Sequence, residues 1–285
     1  MRTFLTSFAI FGSVASVWAA TTIDPAKEYA HGSNLGWMNW YADGANGAVI
    51  GDYICAGNIY AANVGWISLG GGSPTNGIRY QNLAGNDFGV NQDGSGNLRG
   101  YAYGANIGWI NFENTGAPTV DLKTGKLRGS VWSANCGWIS LSNAVAYVRT
   151  DSFWPGVLDA NGLPVAWELT YFGTTGIDPN ADPDHDSMSN TQEYVAGTNP
   201  TNSADVLEIT AFNTAPGGTT NLVTWTSVPT RFYYLQKTLS LSSPAWQDSG
   251  LGLISPDGAS TMRGVADTNA PMRLYRVRAV RPLAP

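Results

Sequence analysis

The chain has 285 residues, about two average domains' worth, and only 13% of them are charged, about half the share usual in a soluble domain. With 34 Gly, 11 Trp, 13 Tyr and 9 Phe it is too aromatic and too weakly charged to be disordered, and a net charge of −6 without a Lys/Arg run argues against nucleic-acid binding. Two His and two Cys leave little room for chemistry that needs several imidazoles or thiols.

Met1-Arg2, the apolar stretch Phe4–Val17 and the small-residue site Val17-Trp18-Ala19 read as a signal peptide over residues 1–19. That stretch is too short to cross a bilayer, and no later run reaches the ~20 apolar residues of a membrane span. The expectation is an exported protein, secreted or held at a cell surface.

Residues 20–150 carry four copies of one pattern: Tyr29–Trp37, Asn58–Trp66, Tyr101–Trp109 and Ser130–Trp138, each with Asn, Gly and Trp in the same places. The tryptophans lie 29, 43 and 29 residues apart, so the middle spacing holds about one extra hairpin, near Ser73–Asp87. Ser/Ala-Asn-x-Gly reads as a four-residue hairpin loop ending in a glycine with positive φ. The expected fold is mainly β, beginning with an antiparallel meander of tandem hairpins whose closure the pattern leaves open. A four-residue loop puts His31, Tyr60, Tyr103 and Trp132 on the core face with Met38, Ile67, Ile110 and Ile139. Trp37, Trp66, Trp109 and Trp138 then form a row on the opposite face. The row either packs on a second layer or binds a ligand such as a polysaccharide. Cys55 and Cys136 fit either a disulfide of an exported protein or two small buried side chains.

Residues 151–162 read as a linker rich in Gly, Pro and Asn, and Leu163–Phe172 as a short helix stopped by Gly173. The run Asp182-Pro-Asp184-His-Asp186-Ser-Met188-Ser-Asn190-Thr-Gln-Glu193 has the spacing of a calcium loop. Its oxygens come from Asp182, Asp184, Asp186, the Met188 carbonyl, Asn190 and Glu193. Ser187 stands where such a loop has glycine, and His185 points between ligand positions. The stretch 163–204 resembles the thrombospondin type 3-like or EF-hand-like calcium segments of secreted modular bacterial proteins. The matching residues are Trp167-Glu168-Leu, Tyr171-Phe-Gly and the acidic run through Pro200. The resemblance implies Ca2+, an extracellular setting and a stiff joint between modules.

From residue 205 to 285 six short strands with Gly/Pro turns suggest a small β-sandwich. Leu222-Val-Thr-Trp225 and Leu274–Val280 look like fibronectin type III strands. No Gly-x-Ser-x-Gly elbow or His-Glu-x-x-His motif occurs, and of five glutamates one belongs to the calcium loop. The sequence therefore reads as a non-enzymatic, calcium-binding structural or surface-associated protein. The alternative is a carbohydrate-binding or adhesion module that uses the tryptophan row, and a polysaccharide-active enzyme stands third.

Overall fold

The computed structural model describes residues 20–242, 244–266 and 274–284. The expected signal peptide lies outside them. The protein is mainly β, with two α-helices among the described residues.

The four repeats are four hairpins: Ile23–Gly32 with Gly36–Asn39, Asn58–Ala61 with Gly65–Ser68, Leu98–Gly104 with Gly108–Asn111, and Ser130–Ser133 with Gly137–Ser140. Each pairs antiparallel with the next, and the last pairs back on the first through His31↔Ser140 and Gly32↔Ile139. The meander is thus a closed eight-stranded up-and-down barrel, which leaves its strands without free edges.

The hairpin loop differs from expectation by one residue, and the difference decides the faces. Gly32 pairs with Gly36, and the Leu35 N–H donates to the Gly32 carbonyl. The loop is a three-residue turn followed by a glycine bulge at φ +77°, and the same holds in the other three copies. Trp37 therefore lies opposite His31, Trp66 opposite Tyr60, Trp109 opposite Tyr103 and Trp138 opposite Trp132. The first-strand rings are not core. They share the outer face with the recurrent tryptophans.

The interior is filled in layers. Ala30, Ile59, Ala102 and Val131 pair with Met38, Ile67, Ile110 and Ile139, all almost fully buried. Below them Trp40, Leu69, Phe112 and Leu141 fill the far end, and Trp40 meets Phe112 across the barrel at 6.5 Å. The small Ala30 and Ala102 stand in the hairpins that carry those two largest rings, so volume is balanced within the core. Leu35, Ile107 and Cys136 are buried under the loops, with Val64 packed against the same core. Gly104 is required there, since a Cβ would stand 2.9 Å from Ile107 Cγ1.

The recurrent loop asparagine has a use that single-repeat reasoning did not find. Asn63 Nδ2 donates to Leu35 O at 3.0 Å, Asn106 to Val64 O at 3.0 Å, and Asn135 to Ile107 O at 3.0 Å. Asn34 completes the circle by donating to Cys136 O at 3.1 Å. The four loops are stitched into a ring over one end of the barrel.

Cys55 and Cys136 are both buried and unbridged. Cys136 lies in the loop ring, whereas Cys55 precedes the strand that leads from the opposite end toward it. Bridging them would need their Cα atoms within about 7 Å. Burial pushes the Cys55 thiol up to about 12. The disulfide reading is corrected to the small-hydrophobe reading. The extra residues of the long interval also differ from expectation: 71–88 form an irregular loop without strands, closed by a Gly70↔Gly89 bridge. Asp87 holds it by accepting from Thr75 and Gln81, and the buried Tyr80 hydroxyl donates to Cys55 O.

Past the barrel, the chain is pinned to it: Trp154 N–H donates to Ile50 O and accepts from Asp52 N–H through its own carbonyl. Two helices follow, α1 (Val165–Phe172) and α2 (Asn190–Ala196), each stopped by a glycine at positive φ, Gly173 and Gly197. The C-terminal strands form two three-stranded antiparallel sheets, Ile209–Thr214, Thr220–Thr226 and Ser260–Ala266 against Gln247–Asp248, Phe232–Thr238 and Leu274–Val280. Val223, Trp225 and Val265 of the first meet Tyr233, Leu235 and Ala279 of the second in one buried core.

Candidate metal centre

Residues 182–189 of the acidic run fold as a loop between α1 and α2, and residues 190–193 form the first turn of α2. The loop backbone is turned by its own carboxylates. Asp182 accepts from Asp186 N–H at 3.2 Å and from Ser187 N–H at 2.9 Å, and Asp186 accepts from Met188 N–H at 2.7 Å. Carboxylate oxygens of Asp182, Asp184 and Asp186 lie within 4.8 Å of one another. His185 is exposed and takes no part in that group.

Helix α2 presents the remaining oxygens. Ser189 caps it through a reciprocal bond with Gln192, which fixes where the helix starts. Asn190 and Glu193 are consequently one turn apart, and both are fully buried. Asn190 Nδ2 donates to Asp178 O at 2.8 Å, which leaves Oδ1 without a protein partner. Glu193 Oε1 accepts from the Thr198 hydroxyl at 3.4 Å, and Oε2 has no partner. Oδ2 of Asp184 and of Asp186 are buried and unpartnered as well. A buried carboxylate oxygen without a donor is costly, on the order of several kcal/mol when charged. Burial first, then the charges of Asp184 and Asp186, push the Glu193 carboxyl up to about 7. The donor set is oxygen only, which is the set of a hard cation.

The Met188 side chain packs against the C-terminal core, so the loop is anchored on that module. Glu168 was not singled out by spacing. It is fully buried in α1, where Oε1 accepts from Ile177 N–H at 2.7 Å and Oε2 has no protein partner. Its signal in the sequence is its place in the Trp167-Glu168-Leu match to calcium segments, outside the expected ligand set.

Next to Glu193, Tyr194 points the other way, into the junction of the three modules. Its ring packs on Trp167 at 5.9 Å, and its hydroxyl donates to Asp52 of the barrel at 3.4 Å. Arg281 pairs with Asp52 and lies over the Tyr194 ring. Arg231 of the C-terminal module donates to the last carbonyls of α2, Nε to Val195 O at 2.8 Å and a terminal nitrogen to Tyr194 O at 2.9 Å. A cation at a helix C-terminus also complements the helix dipole.

The tryptophan row is where the loop geometry puts it. Trp37, Trp66, Trp109 and Trp138 are 47–49% exposed on the barrel's outside. No helix among the described residues is long and apolar enough to cross a membrane. Comparison with protein-family models, curated proteins and solved structures finds no match to this chain.

Proposed function

We propose that the chain is an exported, non-enzymatic modular protein in which Ca2+ bound by residues 182–193 stiffens the joint between the barrel and the terminal two-sheet module. The observation that carries this reading is the group of three aspartates with carboxylate oxygens within 4.8 Å of one another, beside a buried Glu193 that lies outside that group and whose Oε2 lacks any protein partner. Asp182, Asp184, Asp186, Asn190 and Glu193 would supply side-chain oxygens and Met188 its carbonyl, within the six to eight that Ca2+ takes. Mg2+ is disfavoured because it keeps its waters and demands a stricter octahedron.

The mechanism is positional. Glu193 and Tyr194 are consecutive on α2, one turned to the acidic loop and the other to Asp52 and Arg281. An ion that fixes Glu193 also fixes the register of Tyr194 against the barrel, and Arg231 ties the same helix to the terminal module. The histidines support a structural reading: His31 edges onto Trp37 at 4.7 Å in the outer belt, and His185 is solvent-exposed. The terminal module's two facing sheets support the fibronectin-like reading of its strands.

Calorimetric titration of the chelated protein with CaCl2 tests the site. One ion should bind, and at 100 times Kd it adds roughly 2.7 kcal/mol to folding. Glu193→Ala should abolish that gain. Equal melting temperatures in EDTA and in millimolar Ca2+ would refute the proposal.

A further inference from the structure

Twelve outward positions form a closed belt around the barrel. Eight are rings, His31, Trp37, Tyr60, Trp66, Tyr103, Trp109, Trp132 and Trp138, and four are Asn39, Ser68, Asn111 and Ser140. Each of the four polar residues lies directly across from the next hairpin's first ring, such as Asn111 opposite Trp132 and Ser68 opposite Tyr103. No Asp, Glu, Lys or Arg occupies the belt. In three hairpins the facing rings touch edge to face or tilted, with centroids 4.7–5.1 Å apart. In the fourth they do not touch. Trp132 and Trp138, 42% and 49% exposed, stand apart as two walls of a cleft of about 200 Å³.

That cleft is shaped by specific residues. Gly116 forms part of it, and a Cβ there would stand 3.0 Å from the Trp138 ring and collide with Ser130 O. Asn111 Oδ1 and Glu113 Oε1 are used internally, accepting from the N–H groups of Glu113 and Gly100. Their other polar atoms, Asn111 Nδ2 and Glu113 Oε2, and the exposed Thr115 hydroxyl have no partner among the described residues. The cleft therefore offers a donor, an acceptor and a hydroxyl that is both, between two flat apolar faces. One strand further on, Trp109 lines a second cleft of about 400 Å³ with Phe88, Tyr101 and Asn82. Trp109 and Trp138 are two strands apart, about 9.6 Å along the sheet.

We propose that the Trp132–Trp138 cleft, extended by the Trp109 cleft, binds a neutral β-linked polysaccharide. Equatorial hydroxyls leave both faces of such sugar rings as C–H surfaces, which lie on the electron-rich face of an indole. The hydroxyls at the ring edge then meet Asn111, Glu113 and Thr115. Two clefts on adjoining strands suit a polymer rather than a single sugar. A quaternary ammonium ligand would also favour aromatic walls. It is disfavoured because half of the Glu113 carboxylate is committed to Gly100, and the equivalent positions in the other hairpins are Tyr41, Gly70 and Ser142.

The test uses the exported chain with insoluble chitin and microcrystalline cellulose in pull-down, and xylan and glucomannan in affinity electrophoresis. The wild type should be retained by at least one of the four polymers. Trp132→Ala with Trp138→Ala should lower that affinity at least tenfold with an unchanged melting temperature. Thr115→Arg, at an exposed residue, should block the cleft to the same extent without touching the core. EDTA should not abolish binding, since the belt contains no residue of the acidic loop. Failure of the wild type to bind any of the four polymers overturns the proposal. So does full retention by both the double variant and Thr115→Arg, or competition by tetramethylammonium chloride that Glu113→Gln removes.

Discussion

Ser187 holds a side chain at φ +79°, in the region where L-residues pay about 1 kcal/mol for the approach of Cβ to the carbonyl oxygen. The spacing of the acidic run marked this position in advance, because a glycine belongs there. Ser187→Gly should relieve the strain, partly offset by the freer unfolded chain, and stabilise by up to about 1 kcal/mol. Calorimetry in saturating Ca2+ should show a melting point up to about 2–4 °C higher. A lower melting point would mean that the serine is not strained. Glu193 gives a second residue-level expectation. Its carboxyl is held up to about 7 in the ion-free fold, against the ordinary 4.5, by burial and by Asp184 and Asp186. Between those values the folded chain holds a proton that the unfolded chain has released, so stability falls as pH rises through the window. In EDTA the melting temperature should drop from pH 5 to pH 8. In excess Ca2+ that trend should reverse, because the ion displaces the proton. Parallel curves in the two conditions would remove Glu193 from the site.

At the level of the hairpin, one residue of loop length turned an entire strand. Reading the glycine as the fourth loop residue placed the rings of His31, Tyr60, Tyr103 and Trp132 inward. The bulge makes that glycine the first paired residue and turns them outward. The second strands were legible from alternation alone, since Met38, Ile67, Ile110 and Ile139 are core in either register. The loop asparagines were visible as repeats, but their partners are not in their own hairpin, and no single copy contains the reason for them. Asn106→Ala should cost about 1 kcal/mol, the net value of one hydrogen bond, measured as a shift in urea midpoint. Asn106→Asp should cost more, because a carboxylate would face the Val64 carbonyl with no proton to offer. Equal midpoints for all three proteins would mean that the ring adds nothing to stability.

For the molecule as a whole, the mainly β character was readable from pattern and composition, whereas closure of the barrel was not. Closure depends on Ile139 meeting Gly32, a contact between residues 107 positions apart for which a linear pattern holds no signal. The junction was equally hidden: Asp52, Tyr194, Arg231 and Arg281 come from three modules, and only Tyr194 lies within a recognised motif. If the ion holds α2 in place, chelation should open this junction before it unfolds the barrel. Hydrogen exchange in EDTA should speed up at the amides of α2, while the amides of Ile67 and Ile110 stay protected. Uniform acceleration across the barrel would mean that the modules melt as one unit instead.

The pairing of Ile23 with Thr150 has a consequence for where this barrel could be inserted or reopened. Its chain enters and leaves at the same place, so the unit can be spliced into a surface loop of another protein with little distortion. By the same token, its own order can be rotated, with new ends cut at 71–88 and the old ends joined. Copy number has no such freedom. A solenoid gains or loses a repeat at its end, but here the fourth hairpin meets the first, so any change in copy number would change the barrel's diameter and the core that fills it.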